Sequence, residues 1–325
     1  MPAAVSHESP LQRAASLHDS AASCLAAGNR RRAETLCLRA LDLIERHEGP
    51  GHPDAAVVLG TLGDIYRALG RYPEAERSFQ RALGIAEKSL GPDTAEVSVI
   101  LNNFAVLGKY TGRFARAERF YRRALAITEK TLGPDHPEVA TLCHNLGGLE
   151  HARGRFARGE PLARRSVEIR EKALGPDHPD VAADLAALAG LLDGQGKYDE
   201  AESLYRRALA VFERVHGPEH YEIAVNQNNL AALHQARGDS REAERLYRSA
   251  LTIKTKILGR RHPDVAMTLN NLAVLYKSKG EFHKAEPLYR RALAIFEAAL
   301  GKKHPKVLAT RDNYRKLVRA MKRER

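Results

Sequence analysis

A histidine set between an acid and a proline could serve as a general base or a metal ligand, because an unperturbed imidazole titrates near neutral pH. The stretch "LGPDHPEVA" at 132–140 carries one, and nearly the same letters return as "LGPDHPDVA" at 174–182. The same histidine recurs as His52, His136, His178, His220, His262 and His304, always at multiples of 42 residues. A metal needs several ligands converging on one point, and one histidine per unit of a regular repeat does not converge. The residue therefore reads as part of a joint. The three cysteines, Cys24, Cys37 and Cys143, are an odd number without C-x-x-C spacing, which argues against a disulfide framework and a zinc site. The phosphate-loop, zinc-protease and nucleophile-elbow patterns are absent, and "GQG" at 194–196 has no strand before it to make a dinucleotide loop. The expectation is a chain that is no enzyme and holds no cofactor and no metal.

Two series of glycines mark out the elements that must position these residues. One runs from Gly49 through Gly91 and Gly133 to Gly301, the other from Gly28 through Gly70 and Gly112 to Gly280, both in steps of 42. Between them apolar residues fall at helical spacing, as in Leu269, Leu272, Ala273, Leu275 and Tyr276, then Ala285, Leu288, Tyr289, Ala292 and Leu293. Each unit is thus a helix, a glycine turn and a second helix. Gly133 follows the last periodic residue, Leu132, and predicts a left-handed residue closing the helix, with Pro134 barring its continuation. Pro137 suits the first turn of the next helix, and Asp135 and Glu138 stand at capping-box spacing around it.

Composition agrees with helices: tryptophan is absent, and alanine, leucine, glutamate and arginine outweigh β-branched runs. No apolar run is long enough for a membrane span, and the opening "MPAAVSHESP" lacks the basic and apolar regions of a secretory signal. A soluble, cytoplasmic protein with no transmembrane segment is expected.

The segments "GKYDEAESLYRRALAVF" at 196–212 and "GEFHKAEPLYRRALAIF" at 280–296 resemble the second half of a tetratricopeptide repeat. Ala33, Ala75, Ala117, Ala201, Ala243 and Ala285 take the place where that family needs close helix contact, with Gly159 as the exception. Ordinary units of the family have about 34 residues. The 42-residue unit here, with its LGPDHP lead-in, is similar to the repeats of kinesin light chains and their bacterial relatives. The resemblance covers about residues 7–325 and implies an all-α, right-handed α-solenoid. Its expected organisation is a short tail at 1–6, a divergent first repeat at 7–48, six regular repeats over 49–300, and a basic capping helix at 301–325. Cys24 and Cys37 take core places held by Tyr66 and Phe79 in the next unit, and Cys143 that of Leu101 and Leu185, so all three read as small buried hydrophobes. The resemblance also implies a protein-interaction scaffold that binds an extended or helical peptide segment in its concave groove. Linkage to a kinesin motor is not expected, since no N-terminal heptad coil is seen.

One row of charge has a structural reading. Glutamates recur from Glu34 through Glu76 to Glu286, and in five units arginine follows four residues later, at Arg122, Arg164, Arg206, Arg248 and Arg290. Glutamate ahead of arginine at this spacing is the favourable order on a helix, worth about 0.2–0.5 kcal/mol each. The paired acids cancel the field that phosphate binding needs, which argues against a nucleic-acid partner for this row.

A row of asparagines runs against helix propensity and asks for a reason. Nine residues before the turn glycine stand Asn103, Asn145, Asn229, Asn271 and Asn313, and a second amide precedes three of them, at Asn102, Asn228 and Asn270. In similar tetratricopeptide families the equivalent asparagine grips the backbone of a bound peptide, a task suited to an amide that both donates and accepts. The alternative is an asparagine bonding the helix of the neighbouring repeat. On the same face lie Arg67, Lys109, His151, Gln235 and Lys277, with Asp64 and Asp193 as acidic exceptions. Thr61, Ala186 and Ala187 interrupt the row, so the groove need not be continuous. Residues 301–325 carry ten lysines and arginines against Asp312 and Glu324, most of the chain's net +12. That helix reads first as a cap, with a possible second role against an acidic protein, RNA or an anionic membrane. Beyond the peptide scaffold, the remaining alternative is the regulatory subunit of an enzyme.

Overall fold

The computed structural model describes residues 9–302 and 304–323, and among them there are fifteen α-helices and no strand. The expected tail at 1–6 and the first two residues of the first repeat lie outside the described residues. Two compact units divide at Ile169 and Arg170. The first holds α1 (Pro10–Ala26), α2 (Arg30–His47), α3 (Pro53–Ala68), α4 (Tyr72–Ser89), α5 (Ala95–Tyr110), α6 (Phe114–Leu132) and α7 (Pro137–Ala152). The division falls within α8 (Phe156–Leu174). The second holds α9 (Pro179–Asp193), α10 (Tyr198–His216), α11 (Tyr221–Ala236), α12 (Ser240–Leu258), α13 (Pro263–Ser278), α14 (Phe282–Leu300) and α15 (Pro305–Arg323). Within each unit consecutive helices pack as antiparallel hairpins, and each hairpin packs on the next.

The histidines of the joints have a definite task. His52, His136, His178, His220 and His262 are the N-cap residues of α3, α7, α9, α11 and α13, and the imidazole Nδ1 accepts the backbone N–H two residues on. The distance is 3.2 Å from the Glu138 N–H to His136. This corrects the capping box expected at Asp135: the helix begins one residue later, because Pro137 occupies its first turn and places His136 at the cap. In α5 Thr94 does the same work, accepting from the Val97 N–H. The glycines at the other end also differ from expectation. Gly133 has φ 92° and ψ 158°, an extended conformation of positive φ rather than a left-handed helical one, so it redirects the chain without wrapping it back. The wrapped closure occurs in the turn inside each hairpin: at Gly154, φ 68°, its N–H bonds the His151 carbonyl and the Arg155 N–H reaches back to the Glu150 carbonyl.

Helix pairs approach closely where the alanine row sits. Ala33, Ala75, Ala117, Ala201, Ala243 and Ala285 are fully buried, and a Cβ added at Gly108 would stand 3.0 Å from that of Ala117. Ala201→Leu should therefore overpack a hairpin and lower stability by about 1–3 kcal/mol, read as a lower denaturation midpoint. An unchanged midpoint would show that α9 and α10 can part to admit it. The cysteines follow expectation in part. Cys37 and Cys143 are buried, and burial pushes the Cys37 thiol up to about 11, well away from the reactive thiolate range. Cys24, near the end of α1, is only half-buried.

Candidate peptide-binding face

The asparagine row lies on α5, α7, α11, α13 and α15, and the tertiary structure shows what those amides touch. In the first unit Asn145 Nδ2 donates to Asn102 Oδ1 at 2.8 Å, Asn102 Nδ2 donates to Asn103 Oδ1 at 3.1 Å, and Asn103 Nδ2 donates to Asp64 Oδ2 at 2.9 Å. In the second unit Asn271 and Asn313 donate to Asn228 and Asn270, each at 3.5 Å, while Thr268 donates to Asn228. The three amide–amide contacts between helices join residues 43 apart, and His18 with Thr61 makes the same rung at 2.8 Å. A single rule follows from the register. Where a unit has an amide in the leading place, at Asn102, Asn228 or Asn270, the following unit supplies its partner at Asn145, Asn271 or Asn313. Asn229 has Ala186 in the corresponding place and makes no side-chain hydrogen bond among the described residues. Asn228 is buried and the other seven are half-buried. The ladder thus satisfies polar groups that the helix contacts partly desolvate.

The flanking residues differ from one another in what they contact. Arg67 is half-buried, pairs with Asp64 at 3.1 Å and lies 5.6 Å over the ring of Tyr110, which is itself 63% exposed. Burial raises the Asp64 carboxyl against the lowering effect of Arg67. Lys109 is half-buried and makes no ion pair among the described residues, and burial lowers its ammonium below the usual lysine range. Its Nζ lies across Gly148, where a Cβ would come within 2.9 Å. His151 stacks edge-on against Phe156, and desolvation first, then the Lys109 charge, lower its imidazole. A small pocket of about 120 Å³ lies beside Asn102, between α5, α6 and α7. In the second unit Gln235 accepts a 3.2 Å hydrogen bond from the buried Tyr247 hydroxyl, Lys277 is half-buried, and burial raises the Asp193 carboxyl. Among the described residues no group of acids, histidines and cysteines is placed to hold a metal ion, and no helix is long and apolar enough to cross a membrane.

The glutamate row does more than spacing within one helix discloses. Four of the pairs at four residues form, as at Glu118 and Arg122, 2.7 Å. The same carboxylates also take a cation from the turn of the next hairpin: Glu34 from Arg71, Glu76 from Arg113, Glu118 from Arg153, Glu202 from Arg237 and Glu244 from Lys279. These cross-repeat brackets were missed because their register, 35 to 37 residues, is neither a helical spacing nor the repeat length. A comparison of each turn cation with the preceding unit's glutamate would have found them.

Matches to the tetratricopeptide repeat run over residues 12–88, 55–130, 96–158, 138–214, 194–256, 222–298 and 264–324. The chain belongs to the tetratricopeptide repeat family. Its repeats are of the kinesin light chain type, and its fold is the all-α solenoid of such repeats. Among solved structures, BtubC (BKLC) from P. vanneervenii is 28% identical with a TM-score of 0.56, over 73% of this chain and 94% of that one. The nearly identical TPR-like repeats of a kinesin light chain candidate from Podosopora anserina are 26% identical, TM-score 0.51, over 61% and 93%. The apo quorum sensor NprR from B. thuringiensis is 14% identical, TM-score 0.69, over 89% and 77%, a likeness of fold alone. No curated protein matches the chain. Tetratricopeptide proteins generally mediate protein–protein interaction, and scaffolds of this kind are typically non-catalytic.

Proposed function

We propose that the chain is a non-catalytic scaffold that seats a peptide segment of a partner protein on the first-helix face of its repeats. The observation that carries this reading is Lys109: a half-buried ammonium with no ion pair among the described residues, laid over a glycine and next to His151. A desolvated, unpaired cation lowers stability, so its retention on this face is accounted for by a group supplied from outside. Asn229 supports the reading in the second unit, where its amide is half-buried and spare. The remaining asparagines are engaged in the ladder, and in this reading they hold the face in register and offer a peptide only their residual donors and acceptors.

Three substitutions separate binding from support. Asn145→Ala removes a rung, and should lower stability by about 0.5–1.5 kcal/mol, slightly offset by the better helix propensity of alanine. Asn229→Ala and Lys109→Met remove groups without internal partners, so their midpoints should stay level or rise. Both should weaken the peptide. Partners captured from a cell lysate by the wild-type chain would be reduced to binding peptides, and calorimetry with those peptides would compare the variants. Undiminished affinity in both Asn229→Ala and Lys109→Met would end the reading.

A further inference from the structure

The joint between α12 and α13 breaks a bracket that the first four joints, from α2–α3 to α8–α9, keep. Arg81, Arg123, Arg165 and Arg207 each bind a glutamate 36 residues earlier, at 2.5 to 2.6 Å, and the carbonyl oxygen of the loop proline 31 residues earlier. A second bracket ties a cation near the end of the hairpin to the loop acid, as in Lys130 with Asp93, Arg214 with Asp177 and Lys256 with Glu219. At the corresponding places around this joint the glutamate is Thr255, the proline is Arg260, the loop acid is Arg261 and the lysine is Ala298, while Arg291 remains. A neutral set of five positions has become +3. Arg260, Arg261 and Arg291 make no ion pair among the described residues, and they line one open pocket of about 680 Å³ over Ile295 and Ala298.

Gathering three guanidinium groups after removing both of their acids raises local repulsion, and no carboxylate pairs with any of the three among the described residues. We propose that this pocket binds a phosphate monoester. A carboxylate matches the fork of one guanidinium, whereas a phosphate monoester brings nearly two negative charges and three acceptor oxygens, enough for three arginines. The loss of Lys256's counterpart to Ala298 leaves room for the ester's substituent against an apolar floor. A single-stranded nucleic acid would want an aromatic platform for its bases, and none lines the pocket. A membrane surface would meet the arginines without entering the recess. The ester is carried either on a side chain of a partner polypeptide or on a small molecule, and the site is independent of the first-helix face.

The test uses the full chain at fixed ionic strength. Calorimetry compares the peptide Gly-Ala-phosphoserine-Ala-Gly, its unphosphorylated twin and inorganic phosphate. The wild type should bind the phosphorylated probes and ignore the twin. Thr255→Glu with Arg261→Asp, which rebuilds both acids, should weaken that binding roughly tenfold or more while keeping or raising the unfolding midpoint. Arg291→Gln alone should weaken it in the same direction, and Arg315→Ala on α15 should leave it unchanged. Tighter binding of the phosphopeptide than of inorganic phosphate assigns the ester to a polypeptide; equal binding assigns it to a small molecule. The proposal is overturned by no uptake of either phosphate probe at millimolar concentration, by equal binding in the rebuilt and Arg291→Gln variants, or by equal loss in Arg315→Ala. Arginine-dependent sedimentation with phosphatidylserine vesicles, without phosphopeptide binding, overturns it in favour of a membrane.

Discussion

Replacing Phe79 by alanine is expected to cost about 3–5 kcal/mol, the range for emptying a fully enclosed aromatic site. Phe79 has no exposed surface, its ring lies 5.7 Å from that of Phe104, and Phe104 packs in turn on Phe120 at 4.9 Å. Arg116 covers the stack, 4.8 Å from the Phe104 ring. The loss extends through three helices, because each ring is the wall of the next. Gly63 supplies the complementary test: a Cβ there would come within 2.6 Å of the Phe79 ring, so Gly63→Ala should destabilise the wild type and be far milder beside Phe79→Leu. Chemical denaturation of the wild type and the four variants measures both effects. A Phe79→Ala midpoint near that of the wild type would mean that α3, α4 and α5 collapse freely into the space.

Arg153→Met should lower the denaturation midpoint clearly near neutral pH, because it strands a buried carboxylate. Arg153 Nη1 binds Glu118 at 2.5 Å and Glu150 at 3.2 Å, and Glu150 is only 5% exposed with its Oε2 already lacking a partner. In the intact protein the Arg153 hydrogen bond holds the Glu118 carboxyl below its ordinary 4.5. Glu118 therefore adds stability above pH 4.5 that is lost as pH falls through its lower folded value. Glu150→Gln in the Arg153→Met background should recover part of the loss at neutral pH. A loss that Glu150→Gln does not reduce would show that packing of the arginine stem, not its charge, is what matters.

The joint histidines and the asparagines show where reading of the chain succeeded and where it stopped. That the histidine belongs to a joint was legible, since its neighbours Gly133 and Pro137 have fixed backbone preferences. That it caps the helix, in place of Asp135, depended on a one-residue shift in where α7 starts. Both meanings of the asparagine row were visible in its defiance of helix propensity. The choice of partner was not, because an amide bonds whatever lies within about 3 Å. The rung pattern, leading amide in one unit and trailing amide in the next, exists in the sequence as a correlation between Asn102 and Asn145, Asn228 and Asn271, Asn270 and Asn313. It becomes readable only once adjacent first helices are known to lie side by side with an offset of 43.

By itself the sequence determined the repeat length, the two helices of each unit, the turn glycines and the alanine row, because these rest on local periodicity and on backbone conformations that few residues adopt. The tertiary structure decided which charges and amides meet across repeats: Arg153 on Glu118 and Glu150, Asn145 on Asn102, and three arginines left without acids at the joint between α12 and α13. The physical reason is reach. A helix signal is complete within about four residues, whereas a side-chain pair joining two hairpins depends on how closely their backbones approach, which Ala201, Gly63 and their like set by packing.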